Sequence, residues 1–173
     1  MTALRRRLVP LDAETKVAER PSDHKLELRL WLRMLTCSTV IQSEIRRRLH
    51  AQFGVTLPRF DLMAQLEKAP DGLTLGQLSR RMMVSNGNVT GLVERLSRDG
   101  LLERRTNAAD GRSVLVALTK EGRAGFAAMA EAHGEWIAEF FREISDAEIE
   151  RLMTLLGRSK DSVRGALARR ESR

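Results

Sequence analysis

Residues 85–99 carry the most regular apolar pattern in the chain. Their apolar side chains recur at positions i, i+3, i+4 and i+7, namely Val89, Leu92, Val93 and Leu96. This spacing places the four side chains on one narrow face of a helix. Ser85 is a preferred N-cap residue before the stripe, and Gly100 is a typical stop after it. Because the opposite face is polar, the pattern predicts a surface helix over 85–99 that buries one side only.

The residues before this helix predict two shorter helices separated by turns. Pro58 suits the first turn of a helix over 58–69, and Pro70–Gly72 has the composition of a turn. Thr74 and Gln77 have the spacing of a capping box, which begins another short helix. A short helix, a turn at 82–84 and a longer helix with one polar face form a helix-turn-helix. Such a motif places its second helix in the major groove of DNA.

Two short strands are predicted directly after the helix-turn-helix. Residues 101–105 can pair as an antiparallel hairpin with the alternating run that begins at Val114, and the polar stretch NAADGRS (107–113) connects them. A hairpin in this position predicts a winged helix, with the polar connection as the wing tip. Arg112 suits a contact with a phosphate or a narrow minor groove, and Asp110 suits holding the loop or orienting Arg112. The alternative for the loop is a plain hairpin connection.

The polar face of helix 85–99 supplies the candidate DNA-binding residues. The short polar side chains Ser85, Asn86, Asn88 and Thr90 lie near its start, where base edges would be reached, and Arg95 and Arg98 could reach bases or phosphates. For each of them the alternative is a solvated helix face. The segment 74–112 has seven basic and four acidic residues, a net charge of +3. The basic excess therefore does not all lie in the predicted DNA-binding part.

Long helices are predicted on both sides of the winged helix. The first, over 26–53, would be about 40 Å long, and its widely spread apolar residues favour a partner chain. Thr119 is a suitable cap for a helix over 120–142, and Ser145 with Glu148 can begin a helix over 145–165. Residues 1–24 show no sustained period and are expected to form a mobile arm. Residues 166–173 are expected to form a basic tail.

Composition limits the class of protein. The 173 residues are 42% hydrophobic, enough for one ordinary domain with a core. A net charge of +7 suggests nucleic acid, an anionic ligand or an acidic partner. The chain has no apolar run of membrane-spanning length and no signal-peptide pattern, so a cytoplasmic protein without membrane contact is expected.

The chemistry-bearing residues indicate neither an enzyme nor a metal protein. No phosphate loop, nucleophile elbow or zinc signature is present, and His24, His50 and His133 lack ligand spacing. We therefore expect no cofactor and no metal. Cys37 is the single cysteine, so an internal disulfide is excluded. We expect it to be a buried structural cysteine, with a redox sensor as the alternative.

These segments together resemble the MarR family of bacterial transcription regulators. The resemblance covers about residues 26–160 and runs through LPRFDLMAQL (57–66), LTLGQLSRRMMVSNGNVTGLVERLSRDGLLERR (73–105) and DGRSVLVALTKEG (110–122). Its most specific marks are the Asp-x-Arg element at 110–112 and the LT-x-EG element at 118–122. The resemblance implies a mainly α fold with a small β-hairpin wing. It also implies a winged helix-turn-helix DNA-binding lobe over 57–119 and a helical dimerisation lobe within a domain spanning 25–165.

The same resemblance implies a homodimer whose interface uses the first helix and the last two. Such dimers bind a roughly palindromic operator in double-stranded DNA. The usual result is repression, relieved when a small molecule binds between the dimerisation helices and the DNA-binding lobe. The alternative function is a winged-helix module that binds DNA without sequence preference or mediates protein contacts. The asparagine-rich start of helix 85–99 favours base readout.

The candidate ligand-binding residues combine arginines with apolar and aromatic side chains. The basic run Arg46–Arg48 lies late in the first helix, and Arg59 lies just beyond Gly54. The expected lining comprises Trp31, Met34, Arg46, Arg48, Arg59, Phe60, Met63, His133 and Trp136. This mixture suits an aromatic acid or an aromatic acyl-coenzyme A thioester, whose phosphates would bind arginines. The run LWLRMLTC (30–37) resembles family members found beside aromatic-catabolism genes. The alternative is that the aromatics are core and the arginines are solvated or ion-paired.

Overall fold

The computed structural model describes residues 26–106 and 113–171. The helices are α1 (Leu26–Phe53), α2 (Leu57–Glu67), α3 (Leu75–Met82), α4 (Asn86–Arg98), α5 (Lys120–Phe140) and α6 (Asp146–Glu171), and the strands are β1 (Leu73–Thr74), β2 (Leu102–Thr106) and β3 (Val114–Leu118). This mainly helical fold with a small antiparallel sheet confirms the predicted fold class. The predicted arm over 1–24 and the wing-tip residues Asp110 and Arg112 lie outside the described residues.

Two compact units make up the described part of the chain, and the boundary between them lies within α5, after His133. The first unit contains the helix-turn-helix, the sheet and α1. The second contains the end of α5 and all of α6. Among the described residues, no helix combines the length and the apolar character needed to cross a membrane.

The sheet joins the wing hairpin to the start of the helix-turn-helix. Its strand order is β1-β3-β2, and both pairs are antiparallel. β2 and β3 pair over five residues, from Leu102 opposite Leu118 to Thr106 opposite Val114. The additional strand β1 places Leu73 opposite Val116. Sequence patterns did not indicate β1, because two residues are too few to show the alternation that identifies a strand.

The apolar stripe of α4 is the centre of the core in the first unit. Val89, Leu92, Val93 and Leu96 are all buried, as predicted. α2 buries Phe60, Leu62, Met63 and Leu66, and the sheet buries Leu102, Val116 and Leu118. From α1 only Ile45 and Leu49, near its C-terminal end, are buried. The core of the first unit therefore uses the last part of α1 and leaves the rest of that helix exposed.

One predicted feature of α1 differs in the structure. Cys37 is exposed in the single chain, as are Trp31 and Leu35 of the same helix. The expectation that Cys37 is buried is therefore wrong for the single chain. The physical reason is that these residues lie in the half of α1 that precedes its buried positions. Helical periodicity identifies an apolar face but does not identify what covers it.

The ends of several helices also differ from the predicted bounds. α2 ends at Glu67 rather than at residue 69, because the residue before Pro70 disfavours helical geometry. α5 ends at Phe140, two residues early. α6 continues to Glu171, so the residues expected to form a basic tail are helical up to that point. Alanine, leucine and arginine, which favour helices, dominate its last turns and no proline interrupts them.

The start of α5 is packed against the turn that follows α4. The Thr119 backbone N–H donates to the Leu101 carbonyl at 3.1 Å, and the Thr119 hydroxyl donates to the Gly100 carbonyl at 2.8 Å. The same hydroxyl accepts the Gly122 N–H at 2.9 Å, which confirms Thr119 as the predicted cap. A Cβ atom on Gly122 would lie 2.1 Å from the Leu101 carbonyl oxygen. Only glycine allows this close approach of the two backbone segments.

We predict that Gly122→Ala lowers the free energy of unfolding by about 1–3 kcal/mol, because the added methyl overpacks a rigid backbone contact. Gly125→Ala is the matched control, since nothing lies within 4 Å of a Cβ atom at that position of the same helix. There the better helix propensity of alanine should raise the free energy of unfolding by up to about 1 kcal/mol. Urea denaturation of both variants checks this, and a Gly122→Ala variant at least as stable as the wild type would contradict the assigned contact.

Candidate nucleic-acid interface

The first helix of the helix-turn-helix, α3, is fixed at its start by the predicted capping box. The Gln77 backbone N–H donates to the Thr74 hydroxyl at 3.2 Å. In return, the Thr74 backbone N–H donates to the Gln77 side-chain oxygen at 2.8 Å. The capping box thereby satisfies two of the backbone donors at the helix start. Because Thr74 is also the last residue of β1, the cap connects α3 to the sheet.

The turn between α3 and α4 is built on a left-handed residue. Met83 has φ 55° and ψ 40°, whereas the other positive φ values in the described residues belong to glycines. Its side chain is 90% exposed. The turn is closed by the Ser79 hydroxyl, which donates to the Val84 carbonyl at 2.6 Å, and by the Val84 N–H, which donates to the Ser79 carbonyl at 3.2 Å.

The first turn of α4 presents polar side chains to the outside. Ser85 occupies the N-cap position, but its hydroxyl makes no capping hydrogen bond. Ser85, Asn86 and Asn88 are exposed, while the half-buried Thr90 donates its hydroxyl to the Asn86 carbonyl at 3.0 Å. The hydroxyl and the two amides can therefore form hydrogen bonds with an outside partner. This is the position from which a recognition helix contacts base edges.

Arginines extend this surface along α4 and onto the wing. Arg95 and Arg98 are exposed, and the Arg95 guanidinium lies over Gly91, where an added Cβ atom would be 3.7 Å from it. On β2, Arg105 bonds Glu103 through Nε at 3.0 Å, whereas Arg104 faces a groove of about 350 Å³. The groove lies between the wing and the start of α3 and is lined by Thr74, Leu75, Gly76, Arg104, Ser113, Val114 and Val116. Sequence reasoning did not single out this groove, because it depends on the unpredicted pairing of β1 with β3.

The predicted ligand-binding residues do not all come together. Phe60 and His133 lie together, with their ring centroids 5.0 Å apart. The ring of Phe60 also contacts that of Phe126, with 5.5 Å between the centroids. Met63 is buried in the same unit as these rings, whereas Trp31 is exposed and Met34 half-buried on α1. Trp136 is buried in the second unit. Phe60, Phe126 and His133 form what is called here the aromatic cluster.

Asp61 adds an acidic group beside the aromatic cluster. Burial raises the pKa of Asp61, and the nearby His133 opposes that rise. Burial lowers the pKa of His133, and the Asp61 carboxylate opposes that change. For each group, burial disfavours the charged form and the opposite charge of its neighbour favours it.

Two of the three arginines predicted for the ligand site, Arg48 and Arg59, have acidic partners. Glu44 accepts Arg47 Nε and Arg48 Nε, each at 2.8 Å, and these bonds hold the pKa of Glu44 at about 2 against an opposing effect of burial. Arg46 lines a separate groove of about 400 Å³ with Ser43, Arg47, His50 and Thr56. This basic groove shares no lining residue with the aromatic cluster. Arg59 instead forms an ion pair with Asp99, at the end of α4.

Comparisons with known proteins agree with this architecture. A sequence profile of the MarR family matches residues 53–113. The transcriptional activatory protein BadR of Rhodopseudomonas palustris is 32% identical over 138 residues, covering 74% of this chain and 78% of BadR. The crystal structure of a MarR family transcriptional regulator from Silicibacter pomeroyi is 36% identical, with a TM-score of 0.67, covering 79% of this chain and 94% of that one.

A solved protein–DNA complex shares the fold. The MepR–DNA complex of Staphylococcus aureus has a TM-score of 0.69 and covers 80% of this chain and 99% of MepR. Its sequence identity is 21%, so the likeness concerns the fold alone. The relatives found are transcription regulators, and the expectation that the chain is not an enzyme is confirmed.

We predict that Met83→Gly stabilises the protein. The left-handed conformation costs a non-glycine residue about 1–2 kcal/mol, and the greater freedom of glycine in the unfolded chain offsets part of the gain. The net increase should be up to about 1 kcal/mol, seen as a melting temperature higher by about 2–4 °C. Met82→Gly is the control, since Met82 is helical and its replacement should lower the melting temperature. A Met83→Gly variant that melts below the wild type would show that the Met83 side chain makes a stabilising contact.

Proposed function

Because this chain belongs to the MarR family of DNA-binding transcription regulators, we propose that it binds a palindromic operator as a homodimer. The observation that carries the proposal is the first turn of α4, where exposed serine and asparagine side chains stand on a fully buried apolar stripe. A rigid support under a polar surface is what base readout requires, since the reading side chains must be held in place before they meet the duplex.

Asn86 and Asn88 are the proposed base-reading residues. An asparagine amide can bind adenine through two hydrogen bonds at its major-groove edge, and both amides are exposed at the helix start. Arg95, Arg98 and Arg104 are proposed to contact phosphates, which set the register of the protein on the duplex. Arg112 and Asp110 are proposed to act at the wing tip, as the family resemblance implies.

The exposed apolar side chains on the long helices support the proposed homodimer. On α1 they are Leu26, Leu28, Leu30, Trp31, Leu35 and Val40, and on α6 they are Leu152, Met153, Leu155, Leu156, Val163 and Leu167. Monomeric proteins rarely leave such sets of large apolar residues in water, and interfaces between copies of a chain commonly cover them. Two-fold symmetry would then present two α4 helices about 34 Å apart, one turn of duplex.

We predict that Asn88→Ala weakens binding to the operator by about 5–100-fold, as expected for the loss of one bidentate base contact. Binding to a scrambled duplex of equal length should not change, because phosphate contacts are kept. Gln52→Ala, which removes an exposed amide at the end of α1, is the control. Fluorescence anisotropy at about 150 mM salt, with DNA from upstream of the protein's own gene, provides the measurement.

Each outcome of the DNA measurement decides between the candidate functions. Operator binding that is tight, falls steeply with salt and requires Asn88 supports the sequence-specific regulator. Wild-type binding that is equal for operator and scrambled duplex supports the alternative, a winged helix without sequence preference. Genome-wide binding would repeat this test where the upstream DNA holds no site.

Repression is the direction of regulation predicted from the family resemblance. The Rhodopseudomonas relative, in contrast, is described by its name as an activatory protein. A reporter placed behind the bound DNA, with and without the protein, measures the direction for this chain.

We also propose that an aromatic acid or an aromatic acyl-coenzyme A thioester releases the operator. The aromatic cluster and the basic groove, both in the first unit, support this ligand class. Rings at 5.0–5.5 Å offer an aromatic ligand offset or tilted contacts. The groove around Arg46 offers the positive charge that coenzyme A phosphates bind. The engagement of Arg48 with Glu44 and of Arg59 with Asp99 leaves Arg46 as the proposed phosphate ligand.

We predict that 4-hydroxycinnamate or its coenzyme A thioester dissociates the protein–operator complex and quenches the fluorescence of the two tryptophans. Arg46→Ala should raise the thioester concentration needed for half-release by about tenfold, the loss expected for one charge-assisted contact, and leave the response to the free acid unchanged. Arg123→Ala, an exposed arginine on α5, is the control. If neither compound releases the operator and neither quenches the fluorescence, both ligands are excluded.

A further inference from the structure

The C-terminal end of α4 is held from two sides. On one side, the Thr119 hydroxyl donates to the Gly100 carbonyl, the Thr119 N–H donates to the Leu101 carbonyl, and Gly122 lies close to that second carbonyl. On the other side, Arg59 Nη2 bonds Asp99 Oδ2, which joins the first turn of α2 to the C-cap of α4. The ion pair spans 40 positions in sequence, whereas the Glu44 and Glu103 pairs described above are local along their own elements.

Both charges of this pair lie at the unfavourable end of their own helix. Arg59 is the third residue of α2, after the N-cap Thr56, where the helix dipole is positive and no acidic residue balances it. Asp99 is the C-cap of α4, where the dipole is negative. Cations near a helix start and anions near a helix end are both destabilising. Local helix stability therefore gives no reason for either residue, and the reason lies in the contact between them.

The burial of the pair also indicates a role other than net stability. The Asp99 side chain is 47% exposed and that of Arg59 is 24% exposed. Ion pairs at partly exposed sites add little to stability. In addition, Arg59 Nε is buried without a hydrogen-bond partner, which is itself unfavourable. Arg59 is thus held in position by a contact that directs its guanidinium to one point of α4.

We propose that Arg59 is a positioning residue that sets the orientation of α4 through Asp99. α4 is about 20 Å long, so a tilt of about 10° at the Asp99 end moves Asn86 by about 3 Å. That displacement equals the length of a hydrogen bond, enough to remove a base contact at the far end of the helix. The inference rests on the proposed operator binding for its effect on affinity, but the orientation of α4 can be measured without DNA.

Four variants test the pair. Asp99→Asn and Arg59→Gln each break it, Arg59→Gln/Asp99→Asn removes both charges, and Arg59→Asp/Asp99→Arg exchanges them. Asp71→Asn is the matched control, since it removes an exposed carboxylate from the same unit and changes the net charge equally. Loss of a carboxylate alone should tighten binding to DNA, so a weaker operator complex in Asp99→Asn would oppose its own electrostatic effect.

The first measurement is the ratio of operator affinity to scrambled-duplex affinity. We expect each single variant to lower this ratio at least tenfold, the double variant to lower it no further, and the charge exchange to recover part of the loss. Asp71→Asn should keep the wild-type ratio, and all variants should melt above the assay temperature. Single variants that keep the wild-type ratio, or losses that add in the double variant, would overturn the proposal.

The second measurement is the orientation of α4 relative to α2 in the absence of DNA. Residual dipolar couplings of the ¹⁵N-labelled full chain should differ from the wild type in α4 for Asp99→Asn and remain the same for Asp71→Asn. If the wild type does not discriminate the operator, the proposed operator fails, and these couplings still decide the role of Arg59. An unchanged orientation of α4 in Asp99→Asn would refute the positioning role of Arg59.

Discussion

The close approach of Gly122 to the Leu101 carbonyl is the contact on which the DNA-binding unit depends. The chain leaves α4, continues along β2 and returns along β3. It then begins α5 beside Leu101, directly after the end of α4, so the contact closes a loop. The register agrees with this closure, since Leu102 lies opposite Leu118. A wing anchored at one point by backbone contacts takes its direction from α4. This junction therefore contributes, with the wing strands, to orienting the two surfaces that are proposed to meet DNA.

The parts of the fold that depend on local sequence were predictable. The stripe from Val89 to Leu96 fixed both the length of α4 and its buried face, and the spacing of Thr74 and Gln77 located the start of α3. Features that need a distant partner were not predictable. β1 exists because Leu73 meets Val116, and Arg59 is oriented by Asp99, far along the chain. Ser85 shows both kinds of feature. Its N-cap position was predicted from the sequence, but the absence of a capping hydrogen bond from its hydroxyl was not.

The candidate site residues also separate into those that local sequence determines and those that depend on distant partners. The exposed face of α4 follows directly from helical periodicity, so Asn86, Asn88, Arg95 and Arg98 were all placed outward by the sequence. Ligand-binding residues come from several elements, and their grouping depends on packing. Phe60 contacts His133, whereas on the first helix Arg48 pairs with Glu44, Arg46 lines a separate groove and Arg47 does both. The arginines of one basic run therefore lie in two environments, the ion pair with Glu44 and the groove, because neighbouring residues on a helix point in different directions.

The distribution of charge explains how such a protein can depend on specific contacts more than on total charge. The net charge is +7, yet Arg47, Arg48, Arg59 and Arg105 are each ion-paired within the chain. A paired arginine has less charge to exchange for the counterions of DNA, so it contributes less to binding that ignores sequence. Arg95 and Arg98, in the last turn of α4, and Arg104, on β2, are also exposed. If these arginines contact phosphates as proposed, their charge adds to binding on the same helix that carries the proposed base-reading asparagines, which favours specific over non-specific affinity.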